Sequence, residues 1–159
     1  MNKKGFTLVE LLAVIGLISI LMGIAVPNVI SSINNNKKNN FLSDAKRMVS
    51  TAKYLISSNK EDRDKVLSGE NIVYKFEKLN EKDEYKKDAD GGSFIDNTYV
   101  KVSKVLSDND NTNYQYQYCI CVEGSKRIIS KSESKTCDFN TATDCILSDE
   151  LKFEDVKDK

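Results

Sequence analysis

The chain has 159 residues, with 24 Lys+Arg against 24 Asp+Glu, so its formal net charge is zero. That length allows one ordinary domain, or a smaller one with an appendage, and zero net charge removes the simplest argument for a nucleic-acid or anionic-membrane partner. His is absent, which excludes His-based triads, His general acids and His metal ligands.

The apolar residues gather at the N-terminus. From Leu11 to Val26 the chain reads LLAVIGLISILMGIAV, and extending back to Phe6 adds one charge, Glu10. As a helix, residues 6–26 measure roughly 31 Å at about 1.5 Å per residue, which matches a bilayer core of about 30 Å. The remaining charges other than Lys3 and Lys4 lie beyond Asn34, so one apolar helix precedes a polar domain of a size that can hold a modest core. A cleaved secretory signal has a shorter apolar run and an A-x-A-like exit, which this segment lacks. A lipoprotein signal ends in Cys, and the first Cys is Cys119. A single-pass anchor fits the length and the positive-inside flank of Lys3 and Lys4. None of these explains Glu10, whose burial in hydrocarbon is costly without a partner.

Lys3-Lys4-Gly5-Phe6-Thr7-Leu8-Val9-Glu10 closely resembles the prepilin signature of type IV pilins and pseudopilins, with the short leader and the Phe of the type IVa-like subclass. The resemblance implies a leader at 1–5, removed by a membrane-embedded aspartic peptidase that cuts between Gly5 and Phe6 on the cytoplasmic side and N-methylates Phe6. It also implies that residues 6–33 form a transmembrane helix that later becomes filament core. Removing Lys3 and Lys4 leaves 22 basic and 24 acidic side chains, a net charge of −2, and frees an α-amino group at Phe6. Glu10 is then expected to pair with the Phe6 amine of its own or a neighbouring subunit, since a paired charge is tolerable in a dry core where a lone one is not. The competing reading is that Glu10 snorkels to the membrane interface. Ser19 and Gly23 have a small-xxx-small spacing that permits close helix approach. Pro27 removes one backbone bond and clashes with the Gly23 carbonyl, so a kink is expected there.

The head is expected over residues 34–159. The run Asn34–Asn40, rich in Asn, weakens a helix on propensity. Beyond it Phe41, Ala45, Met48, Ala52 and Leu55, flanked by Leu42, Val49 and Ile56, make an apolar helical stripe. With the pilin resemblance, the apolar segment and the amphipathic segment 34–58 read as one helix of about 50 residues. Ser57-Ser58-Asn59 ends it. Residues 59–97 form a connecting region dense in mixed charge, the most variable part of pilins. From Thr98 the period changes to two. Strands are expected at Thr98–Leu106, Tyr114–Val122 and Arg127–Lys131, an antiparallel meander within 98–132. Tyr114, Tyr116, Tyr118, Ile120 and Val122 fall on the face that covers the helix stripe; a stacking row for bases is the alternative for the tyrosines.

Cys119, Cys121, Cys137 and Cys145 are an even set in an exported domain, which suggests two disulfides. Cys119 and Cys121 point the same way on one strand with Cα atoms about 6.5–7 Å apart, which disfavours joining them, and two connectivities to the segment 133–159 remain. This is similar to the Cys-bounded C-terminal loop of many pilins, with four Cys in place of the common two. A zinc site is the rival reading. Asp108-Asn109-Asp110 and Asp88-Ala89-Asp90-Gly91-Gly92 read as turns, with calcium the alternative.

The expected fold class is α+β: a long N-terminal helix packed against a small antiparallel sheet, the pilin lollipop, with a disulfide-stapled C-terminal segment. The expected protein is a structural pilin of a type IV pilus serving adhesion, twitching motility or biofilm formation, and not an enzyme, with no cofactor and no metal. Its implied partners are copies of itself and other pilins, the prepilin peptidase, and the pilus assembly platform protein and ATPase; no nucleic acid is expected. The precursor would span the cytoplasmic membrane once with its N-terminus inside, and the assembled form would lie in a surface filament. The alternatives are a pseudopilin of a type II secretion or DNA-uptake system and a non-polymerising membrane-anchored binding domain.

Overall fold

The computed structural model describes residues 7–106, 113–131, 133 and 135–159. The expected cleavage pair Gly5 and Phe6, and the loop Asp108-Asn109-Asp110, lie outside the described residues. The chain divides into two units, Met1–Asn36 and Lys37–Lys159.

The first helix, α1, runs over Leu8–Ser58. It continues through Pro27 and the Asn-rich run, as the family resemblance implied against simple propensity. At Pro27 the missing N–H leaves the Gly23 carbonyl without its helical donor. One residue later the Asn28 side-chain Nδ2 donates to the Ile24 carbonyl at 3.1 Å. Every residue from Thr7 to Asn36 is exposed, so within this unit a continuous apolar helix has nothing covering it.

In the second unit the other end of α1 forms one layer. Phe41, Ala45, Met48, Val49, Ala52 and Ile56 are buried, with Leu42 and Leu55 half-buried beside them, the stripe expected from spacing. Asn59 ends α1 by capping the next helix, α2 (Lys60–Leu67), accepting from the Glu61 and Asp62 N–H groups at 3.0 and 3.4 Å. This satisfies two otherwise orphaned donors. Next come β1 (Ile72–Lys75) and a single turn of helix, α3 (Phe76–Leu79). The sheet continues with β2 (Tyr99–Leu106), β3 (Tyr114–Glu123) and β4 (Arg127–Ile129), then β5 (Ile146–Leu147) and β6 (Val156–Asp158).

Six antiparallel strands form the sheet in the order β1-β2-β3-β4-β6, and β5 pairs with β3. The expected β2-β3-β4 meander is its centre. Strands β1, β5 and β6 are additions of two to four residues, too short for alternation to announce them. Because successive side chains change face, Val100, Val102, Ile120, Val122 and Ile129 pack on the α1 stripe while Tyr99, Cys119, Cys121 and Ile128 face away. Tyr116 and Tyr118 lie against the main core, so the tyrosine row packs and is not an open stacking platform; Tyr114, at its end, stays exposed.

The outward face is closed by the C-terminal segment. Cys119 is joined to Cys145 and Cys121 to Cys137, so the nested connectivity is the one realised. With all four sulfurs in disulfides, the zinc reading falls away. Around them Tyr99, Ile128 and Ala142 are buried, with Phe139 and Leu147 packed beside them. The head therefore has three layers: helix, sheet, stapled loop.

Candidate functional site

Two places carry the candidate chemistry: the start of α1 and the junctions that tie the connecting region to the sheet. At the start of α1, Glu10 closes a reciprocal cap. The Thr7 N–H and hydroxyl donate to Glu10 Oε2 at 2.9 and 2.8 Å, and the Glu10 N–H donates to Thr7 Oγ1 at 3.3 Å. Thr7-Leu8-Val9-Glu10 is thus a capping box, in which the first and fourth residues satisfy each other's backbone donors. The sequence reading missed Thr7, although the T-x-x-E spacing ahead of an apolar run is a recognised signal. Both bonds to the carboxylate use Oε2. No bond to Oε1 is found among the described residues, so this oxygen retains its capacity to accept a further donor.

In the head, residues 88–92 form a turn whose carboxylates are occupied by protein groups. Asp88 Oδ1 accepts the Asp90 and Gly92 N–H groups, both at 2.9 Å, and Oδ2 accepts the Ser125 N–H at 2.6 Å. Burial pushes the Asp88 carboxyl up, but the bonds from Ser125, Asp90 and Gly92 outweigh it and hold the group below its usual range. Gly124 in the β3–β4 turn passes so close to this carboxylate that a Cβ would stand 2.9 Å from Asp88 Oδ2 and 2.6 Å from the Phe41 ring.

Asp90 instead joins an ion cluster built on its buried pair with Arg127. Arg127 Nε and Nη2 donate to its two oxygens at 2.7 and 3.3 Å, Arg127 Nη1 donates to Asp158 at 3.0 Å, and Lys37 stands 3.3 Å from Asp90. Such charges are stable when buried because they are paired and hydrogen-bonded. The two carboxylates of 88–92 thus serve backbone donors and a guanidinium, as in the turn reading. A third buried acid, Glu123, accepts the Cys137 N–H at 3.0 Å and the Lys159 ammonium at 2.7 Å. These contacts fasten the connecting region, the β3–β4 turn, the stapled loop and the C-terminal strand to one another.

One further feature lies between α1 and residues 78–85. It is a groove of about 350 Å³ floored by Leu55, Leu79 and Tyr85 and rimmed by Arg47, Tyr54 and Lys82.

The described part of the chain thus combines a 51-residue helix, long and apolar enough at its N-terminal end to cross a membrane, with a disulfide-stapled α+β head. This architecture is consistent with a membrane-anchored precursor. Residues 1–26 match the family model described as the prokaryotic N-terminal methylation motif, which is the prepilin signature of type IV pilins and pseudopilins. The motif supports a pilin-like or pseudopilin protein and points to a structural subunit rather than an enzyme. No curated protein and no solved structure matches the chain.

Proposed function

We propose that this chain is a structural pilin of a type IV pilus, cut by prepilin peptidase between Gly5 and Phe6, N-methylated at Phe6 and polymerised into a surface filament for adhesion, motility or biofilm formation. The observation that carries the reading is a methylation motif that runs into an apolar helical segment, residues 8–36, every one of which is exposed. Such a surface is stable in a bilayer and again when helices of many copies bury one another. It would be a severe liability for a protein left alone in water.

In this reading Glu10 acts twice. Through Oε2 it caps its own helix, and through Oε1 it accepts the new Phe6 amine of a neighbour, fixing axial register and neutralising both charges. Pro27 is the point at which the helix yields during packing. Pseudopilins share the motif; immunogold labelling of long surface fibres separates a pilus from the short filament of a secretion or DNA-uptake system.

The test is N-terminal sequencing of sheared filaments together with Glu10→Gln. An amide retains a carbonyl to accept from Thr7, so the cap survives while the charge is lost. Filament subunits are expected to begin at N-methyl-Phe6, and Glu10→Gln is expected to be cleaved and helical yet to lose most filament yield. Filaments beginning at Met1, or undiminished assembly of the amide variant, would refute the reading.

A further inference from the structure

We infer that the two disulfides differ in chemistry: Cys121–Cys137 is a sealed staple, whereas Cys119–Cys145 is a thiol–disulfide exchange site, opened by a dithiol with Lys101 favouring the leaving thiolate. This holds whether or not the chain forms filaments. Access comes first, because exchange requires a thiolate to reach a sulfur. Cys119 and Cys145 line an open groove on the sheet, together with Leu147 of β5, Lys131 just beyond β4 and Lys157 of β6. Neither Cys121 nor Cys137 lines it. Cys121 and Tyr99, its partner in the β2–β3 register, are both 0% exposed. The groove carries four lysines and four acids, so its overall charge favours no class of reductant. The discrimination is local.

The second difference is the charge that a departing sulfur meets. A neighbouring ammonium stabilises a thiolate and makes it a better leaving group, and a carboxylate does the reverse. Lys101 is the cross-strand partner of Cys119. Its ammonium donates to the Ala142 carbonyl at 2.7 Å, and Cys145 Sγ lies 3.7 Å from that same oxygen. The cation therefore stands beside the outer disulfide. At the inner one, Asp144 Oδ2 lies 4.0 Å from Cys121 Sγ. That carboxylate is fixed in place by the Asp138 N–H and the Tyr99 hydroxyl, and a thiolate released at Cys121 would be repelled by it.

The exchange has two parts. Cys119 is the more exposed of its pair, 8% against 4% for Cys145, so the incoming thiolate bonds to Cys119 Sγ. The Cys119–Cys145 bond breaks, and its electron pair leaves on Cys145 beside Lys101. The second thiolate of the dithiol then bonds to the sulfur already attached to Cys119 and releases Cys119 as a thiolate. Two electrons pass to the protein, the dithiol ends as its own disulfide, and both cysteine thiolates can take up protons from water. Opening removes the covalent tie between β5 and β3, which pair at Cys119↔Leu147 and Ile120↔Ile146. Cys121–Cys137 keeps the start of the loop attached, so the outer layer loosens at one end.

The experiment uses the folded, oxidised full chain in detergent micelles, with dithiothreitol as the dithiol. Free thiols are trapped over time with excess N-ethylmaleimide and located by mass spectrometry. Cys119 and Cys145 are expected to be labelled about tenfold or more faster than Cys121 and Cys137, at a rate that low urea leaves unchanged. The inner pair is expected to open only as urea approaches the unfolding transition. Lys101→Gln is expected to slow the outer opening about threefold, through a poorer leaving group, and Lys101→Arg to restore it. Hydrogen exchange at 146–147 is expected to rise once the outer disulfide is open. Equal rates for the two disulfides, earlier opening of the inner one, outer opening that tracks urea, a Lys101→Gln chain as fast as the parent, or unchanged exchange at 146–147 would each overturn the inference.

Discussion

Asp88 shows how much a single side chain can organise in this head. Its carboxylate closes its own turn through the Asp90 and Gly92 N–H groups and holds the β3–β4 turn through Ser125. Asp88→Asn keeps the shape but replaces one accepting oxygen with a donor that faces N–H groups. It is expected to cost about 1–3 kcal/mol at neutral pH, because buried donors then lose their acceptor, and urea unfolding measures this. The pH dependence has a definite sign. The folded carboxyl titrates below its usual range, so the unfolded chain binds the proton more readily. The carboxylate's contribution is present in full above the unfolded value of about 3.9 and fades as pH falls through the lower folded value. The stability gap between parent and variant should therefore hold from neutrality down to mildly acid solution and narrow only in strong acid. A gap that closes near neutrality would contradict this assignment. Glu10 makes a related point at the other end of the chain, where one carboxylate is both a helix cap and the proposed partner of an amine.

At the scale of elements, the C-terminal segment is held by three independent means. Strands β5 and β6 pair with β3 and β4, two disulfides cross to β3, and Glu123 takes the Cys137 N–H and the Lys159 ammonium. The disulfides act chiefly on the unfolded chain, each contributing about 2–4 kcal/mol by limiting its freedom. The strand pairing acts on the native state. Replacing Cys121 and Cys137 together by Ser is expected to lower stability by about that amount while leaving the β4–β6 pairing in place. Hydrogen exchange at residues 127–129 and 156–158 checks it: retained protection there with a lower denaturation midpoint is the expected pair of results. Loss of protection across β6 would mean that the staple, not the ladder, holds this edge.

For the whole molecule, the division after Asn36 separates two kinds of stability. The head buries its own core, from Phe41 to Val156, in residues that follow Lys37. The described residues of the preceding helix bury nothing within their unit, which is consistent with a membrane-anchored precursor. Deleting residues 1–36 is therefore expected to leave a soluble head with both disulfides and a single cooperative thermal transition. Light scattering, mass spectrometry and calorimetry test this, and an aggregated or non-cooperative product would count against the head as a self-sufficient unit. In this architecture an exposed apolar helix and a polar domain with its own core follow one another along one chain.

What could be read from residues alone was whatever repeats locally or sits in a fixed motif. The apolar run and Lys3–Glu10 announce the membrane helix and its processing signal. The spacing of Phe41, Ala45, Met48 and Ala52 marks the buried stripe of α1, and alternation from Tyr114 to Val122 marks β3 and its inward face. Each of these spans enough turns or alternations for the period to emerge. Tertiary structure decided the rest. Strands β1, β5 and β6 are too short to carry a period and exist because a neighbouring strand offers its edge. The choice of Cys145 for Cys119, and of Cys137 for Cys121, depends on where the loop crosses the sheet, and spacing along the chain does not encode that. The same holds for Asp90 and Arg127, 37 positions apart, whose pairing is set only when the connecting region and the β3–β4 turn have folded onto the same end of the sheet.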